Sequence, residues 1–136
     1  MSLILYQIIL LMLVPDPGHF QNLQEEKIYS VGEVNEKPQP VIGLTEFQSR
    51  WSKKVVYPEA AVKKKIQGMI FIQFIVNRDG VIENASLKAG IGYGCDEAAL
   101  KGFNEVCKEP WKPGFKNDQP VKVAMVLPFF FQIVER

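Results

Sequence analysis

The segment Met69 to Val76, MIFIQFIV, runs directly into Asn77-Arg78-Asp79-Gly80, and no other feature limits the fold as much. A short apolar run rich in β-branched and aromatic residues reads as a strand. Asp-Gly is a hairpin signal because glycine takes a positive φ without a Cβ penalty. Ile70, Ile72, Phe74 and Val76 lie on one face, and Met69, Phe71, Gln73 and Ile75 on the other. The first set must face a core and the second is only partly polar, so the strand is expected to be central. The return strand, Val81 to Ala89, changes its inward parity between Ile82 and Ala85-Leu87, which predicts a bulge.

Helices are expected on either side of this hairpin. Upstream, Thr45 can cap a helix that brings Phe47 and Trp51 to one face at four-residue spacing. Pro58 then suits the start of a second helix, with Glu59 near its positive end, Lys63 to Lys65 near its negative end, and Gly68 as its stop. Downstream of the glycines at 90, 92 and 94, Asp96 can cap a helix whose Ala99, Leu100, Phe103 and Val106 repeat at three and four residues. Pro110 and Pro113 close it around Trp111. The last strand is expected over Val121 to Val134, and Pro128 marks it as an edge or as broken there, since proline cannot donate to a ladder. The fold class is therefore α+β, a three-stranded antiparallel sheet with two or three helices packed on one face.

The N-terminal part reads differently. Leu3 to Val14 is an apolar run stopped by Pro15-Asp16-Pro17-Gly18; about 20 residues are needed to span a bilayer, so residues 1–18 fit a signal peptide or short hydrophobic segment. Export follows, with attachment to a membrane through this run as the other outcome. Residues 19–42 are polar and read as linker, with Ile28-Tyr29-Ser30-Val31 able to form a short strand. Residues 43–136 form the domain.

Several function classes are disfavoured. Sixteen basic and fifteen acidic residues give a formal charge of +1, so no global field attracts nucleic acid. The sole histidine, His19, lies in the upstream tail, and neither Cys95 nor Cys107 has a second ligand at metal spacing, so no metal, no small-molecule cofactor and no catalytic residue is expected. A helix between the two cysteines would hold their Cα atoms ~18 Å apart, against the ~7 Å limit of a disulfide.

In order and spacing, Tyr57-Pro58 with Ala60-Ala61, Gly68 through Gly80, Asp96 to Leu100 with Ala99, Trp111-Lys112-Pro113, and Pro120-Val121 through Pro128 to Phe131 resemble the C-terminal domain of the TonB family of energy transducers. Residues 43–57 are similar to an extra helix in versions from the Bacteroidetes lineage. The resemblance implies a non-catalytic periplasmic module that engages the TonB box peptide of a TonB-dependent outer-membrane transporter by strand addition. The edge it implies is Val121, Lys122, Val123, Ala124, Met125, Val126 and Leu127, which a homodimer would use as well. The family's long membrane anchor and proline-rich spacer have no counterpart in residues 1–42 as read above. A periplasmic structural or regulatory interaction domain, self-associating or bound to a cell-wall or signalling partner, is therefore the alternative reading.

Overall fold

The computed structural model describes residues 26–134; the apolar run and the 1–18 segment lie outside them. β3 (Gly68–Val76) and β4 (Ile82–Ala89) form the expected hairpin. Asn77 holds its turn, its side-chain oxygen accepting the N–H groups of Asp79 and Val81, both at 2.9 Å. The pairing slips twice, between Phe71 and Ile72 and between Gln73 and Ile75, and Asn84 relieves the second slip at φ 54°. The predicted bulge is thus present.

Among the described residues three α-helices accompany the sheet: α1 (Leu44–Lys54), α2 (Glu59–Lys63) and α3 (Cys95–Val106). α1 begins at Gly43 rather than at a Thr45 cap. The chain enters through Gly43 at φ 90°, and Gly43 N–H already bonds Pro40 C=O, so the helix starts before Thr45 can cap it. α2 ends earlier than expected, because Lys65 turns left-handed at φ 56° and Gly68 opens β3 instead. Asp96 does not cap α3 either. It sits in the first turn and reaches backward, its carboxylate accepting Ile91 N–H at 2.9 Å and Gly92 N–H at 3.2 Å. That carboxylate covers Gly90, where an added Cβ would lie 2.3 Å from it.

The core lies between the helices and one face of the sheet. Phe47 and Trp51 of α1 and Ala99, Phe103 and Val106 of α3 pack with Ile70, Ile72, Phe74 and Val76, the face picked out by alternation. Phe103 is central, edge-on to Phe47 at 5.9 Å and Trp51 at 5.1 Å. The Trp51 indole N–H donates to Ala99 C=O at 2.9 Å, which ties α1 to α3.

The sheet is larger than the three strands expected. The final strand, β7, runs from Gln119 to Phe131, starting earlier and stopping before Val134. Five strands join in the order β1 (Ile28–Tyr29), β7, β3, β4, with β6 (Gly114–Lys116) also paired to β7. β6 (Gly114–Lys116) folds onto Gln119–Val121 through Asn117 and Asp118, both at positive φ, as a two-residue hairpin turn requires. β1 falls within the short strand expected at Ile28 to Val31, while β2 (Gln39–Pro40) comes from the stretch read as linker. β2 pairs with β5 (Trp111–Lys112), and β1 lies parallel to β7. Each is two residues long, too short to leave a periodic signal.

Candidate functional site

One side of β7 is filled. From Val76↔Val123 to Gly68↔Phe131 it pairs antiparallel with β3 without interruption. The opposite side is divided. Ile28 and Tyr29 stand against Lys122 and Val123, and among the described residues no strand covers that side from Ala124 to Phe131.

The seven edge residues proposed from sequence therefore fall into two groups. Val121 faces Gly114 of β6, while Lys122 and Val123 face β1. Ala124, Met125, Val126 and Leu127 lie on the uncovered stretch. Val123 and Leu127 are buried in the core, Met125 is half-buried, and Ala124 and Val126 are exposed. The edge continues past Leu127 to Pro128, Phe129 and Phe130, which the sequence reading had left out of the site.

Pro128 sets the direction of the backbone groups. Opposite Phe71, it has no N–H to donate and fits at a pair whose polar groups point away from β3. Strand alternation then turns the N–H and C=O of Ala124, Val126 and Phe130 to the open edge. Pro128 does not break the strand. It removes one donor from an otherwise regular row.

β1 is tied down by side chains from several elements. Glu26 bonds Arg78 of the hairpin turn at 3.4 Å and Lys122 at 3.6 Å. Lys122 also reaches Glu83 of β4 at 3.3 Å. The Tyr29 ring carries two ammonium groups, Lys27 at 4.6 Å and Lys116 at 4.7 Å from its centroid. Beyond it the chain leaves the edge in a 3-10 turn (Val31–Glu33), where Glu33 accepts Ser30 N–H at 2.8 Å. That bond lowers the Glu33 pKa below the usual carboxylate value. The Asn77 amide, and then Lys122, lower that of Glu83.

At the far end of the open edge, Gln48, Trp51 and Ser52 of α1 face Met69, Pro128, Phe129 and Phe130 across a groove of about 290 Å³. Trp51 rests on Phe129 at 4.8 Å and forms its floor. Sequence reading missed this groove because Gln48 and Ser52 are ordinary polar helix residues until the fold sets them beside β7. The other motif residues serve the framework. Tyr57, which follows α1 and precedes Pro58, donates its hydroxyl to Ile66 C=O, and Ala99 and Trp111 are buried. Gly80 and Pro113 meet where the hairpin turn touches β5.

Among the described residues no three His, Cys, Asp or Glu side chains come together. Burial raises the pKa of both free thiols, Cys95 and Cys107. Among the same residues, no helix is long and apolar enough to cross a membrane.

The family described as Gram-negative bacterial TonB protein C-terminal matches residues 53–133. No curated protein matches the chain. Two solution structures of Helicobacter pylori TonB-CTD are similar in fold. That of residues 179–285 is 22% identical with a TM-score of 0.52, covering 68% of this chain and 82% of its own. That of residues 194–285 is 23% identical with a TM-score of 0.52, covering 68% and 96%.

Proposed function

Because this chain belongs to the Gram-negative bacterial TonB C-terminal family, we propose that it is a non-catalytic periplasmic module that takes the TonB box of a TonB-dependent outer-membrane transporter onto the open edge of β7. The uncovered stretch from Ala124 to Phe131, beside a strand already fixed on its other side by β3, is the observation that carries this reading. An unpaired row of N–H and C=O groups is a template for an extended peptide, and main-chain bonding places little demand on the peptide's sequence. The preformed strand limits the ordering cost to the peptide, since β7 does not rearrange to receive it. Energy-coupled transport would then act through a pull on this short ladder, and a second copy on the same edge would compete with the transporter.

A proline scan tests the reading. Proline at Ala124 or Val126 removes an outward donor and should weaken binding of a synthetic TonB-box peptide by about fivefold or more, from a net 1 kcal/mol per bond. Met125→Pro removes a donor to β3 and should unfold the domain, which serves as the control for strand phase. Folded Ala124→Pro and Val126→Pro variants that bind as tightly as the parent would show that the peptide does not add here.

A further inference from the structure

Strand addition leaves open where on β7 a partner starts and what selects it. We propose that the edge has a fixed near end and a selective far end: β1 stops an incoming strand at Ala124, and the α1 groove receives one of its aliphatic side chains. The proposal rests on the strand-addition reading above and goes beyond it in naming the limits of the site.

The near end follows from how β1 is held. Displacing Ile28 and Tyr29 would free two positions of β7, Lys122 and Val123. It would also separate Glu26 from Arg78 and Lys122 and withdraw the Tyr29 ring from Lys116. Contacts to β6, β7 and the β3–β4 turn are lost together for a gain of two ladder positions. Pairing of β1 ends at Tyr29, with the 3-10 turn at Val31–Glu33 following, so among the described residues no strand on that side pairs with Ala124. β1 itself demonstrates that this side of β7 accepts an added strand, and an incoming peptide continues the same interface.

The far end follows from the groove. Side chains of a strand added beside Pro128 to Phe130 would alternate between the two faces of the sheet, and every second one turns toward α1. There it meets Phe129, packed on Trp51, with Gln48 and Ser52 along the α1 wall. Walls of that kind suit an aliphatic side chain, and a carboxylate would lose its hydration without finding a cation among the lining residues.

Amide exchange by NMR, with the synthetic TonB-box peptide bound to the full chain, tests the near end. New protection is expected at Ala124, Val126 and Phe130, with Tyr29 and Lys122 unchanged. Protection that spreads to Lys122 while Tyr29 loses its own would mean that β1 is displaced, and would overturn the stop. For the far end, Ser52→Trp on the exposed side of α1 fills the groove. It should leave the melting temperature in place and weaken peptide binding about tenfold, the scale of one buried anchor. An alanine scan of the peptide should find one aliphatic position that matters for the parent and not for Ser52→Trp. Equal alanine effects in both proteins would overturn the groove as receptor. A parent that binds no peptide removes strand addition and this inference together, whereas binding with a footprint over Lys122 removes the stop alone.

Discussion

Gly80→Ala is a severe change for a single methyl group, and the reason lies in two separate costs. Gly80 holds φ 77°, where a residue with a Cβ is strained by about 1–2 kcal/mol. An added Cβ would also lie 1.9 Å from Trp111 C=O oxygen and 2.9 Å from its carbon. Backbone cannot swing aside as a flexible side chain does, so β5 must move by an ångström or more. That movement breaks the Trp111 N–H bond to Gly80 C=O, 3.2 Å long, worth about 1 kcal/mol. It also loosens Trp111 from Phe47 at 5.2 Å and Phe74 at 5.4 Å. The sum is about 2–4 kcal/mol, a large part of the stability of a small domain. Thermal unfolding followed by circular dichroism should fall by about 10–25 °C. Gly80→Asn separates the two costs, because asparagine tolerates the left-handed region while keeping the clash. A Gly80→Ala protein melting within about 2 °C of the parent would refute the close approach of β5 to this turn.

Asp96→Ala should cost about 1.5 kcal/mol by releasing two backbone donors and should raise amide exchange at Ile91 and Gly92, with no change in peptide affinity. Acid should free β1 before the core melts. The Glu33 and Glu83 pKa values are lowered in the fold, so their contribution is complete above the ordinary carboxylate range and is lost as pH falls through the lowered values. The Tyr29 ring and amide signals should shift toward those of a free segment in that window, while Phe103 signals stay; simultaneous loss of both would contradict the local origin of the effect.

What could be read from the sequence depended on how local the cause was. The β3–β4 hairpin and α3 were legible because alternation in MIFIQFIV, the Asp-Gly turn and the Ala99-Phe103-Val106 face each lie within a few residues. Caps were less legible. Thr45 and Asp96 have the right chemistry, but Gly43 and Gly94 occupy the cap positions, and the Asp96 carboxylate is drawn back to the Ile91–Gly92 amides. β6 had a signal that passed unused, the Asn117-Asp118 pair, whose type suits a two-residue hairpin. β1 had almost none. Two residues become a strand only because Lys122, Arg78 and Lys116, all distant in sequence, converge on Glu26 and Tyr29. Pro128 marked the last strand as an edge or as broken, and the family resemblance favoured the edge, while its limits depended on contacts that no short window contains.

An open edge in a small domain must accept one partner and discourage others, and Pro128 bears on both. The outer face of the sheet beside this edge exposes Met69, Val126 and Phe130, a surface on which a second sheet edge could gain apolar contact. A proline in the middle of the row removes one donor there, and any strand pairing along Ala124 to Phe131 loses that bond. A TonB-box peptide and a second copy of the domain lose it equally, but the second copy needs a long, regular ladder to hold two folded bodies together. Pro128→Ala restores the donor. Peptide affinity should rise by up to about fivefold, the value of one net bond, and self-association should rise more, since a symmetric antiparallel edge pair would regain a bond from each chain. Peptide titration and sedimentation velocity on the same preparation measure the two. A Pro128→Ala protein that folds as the parent does, stays monomeric and binds peptide no more tightly would mean that Pro128 does not face the open edge, and the outward phase assigned to Ala124, Val126 and Phe130 would be reversed.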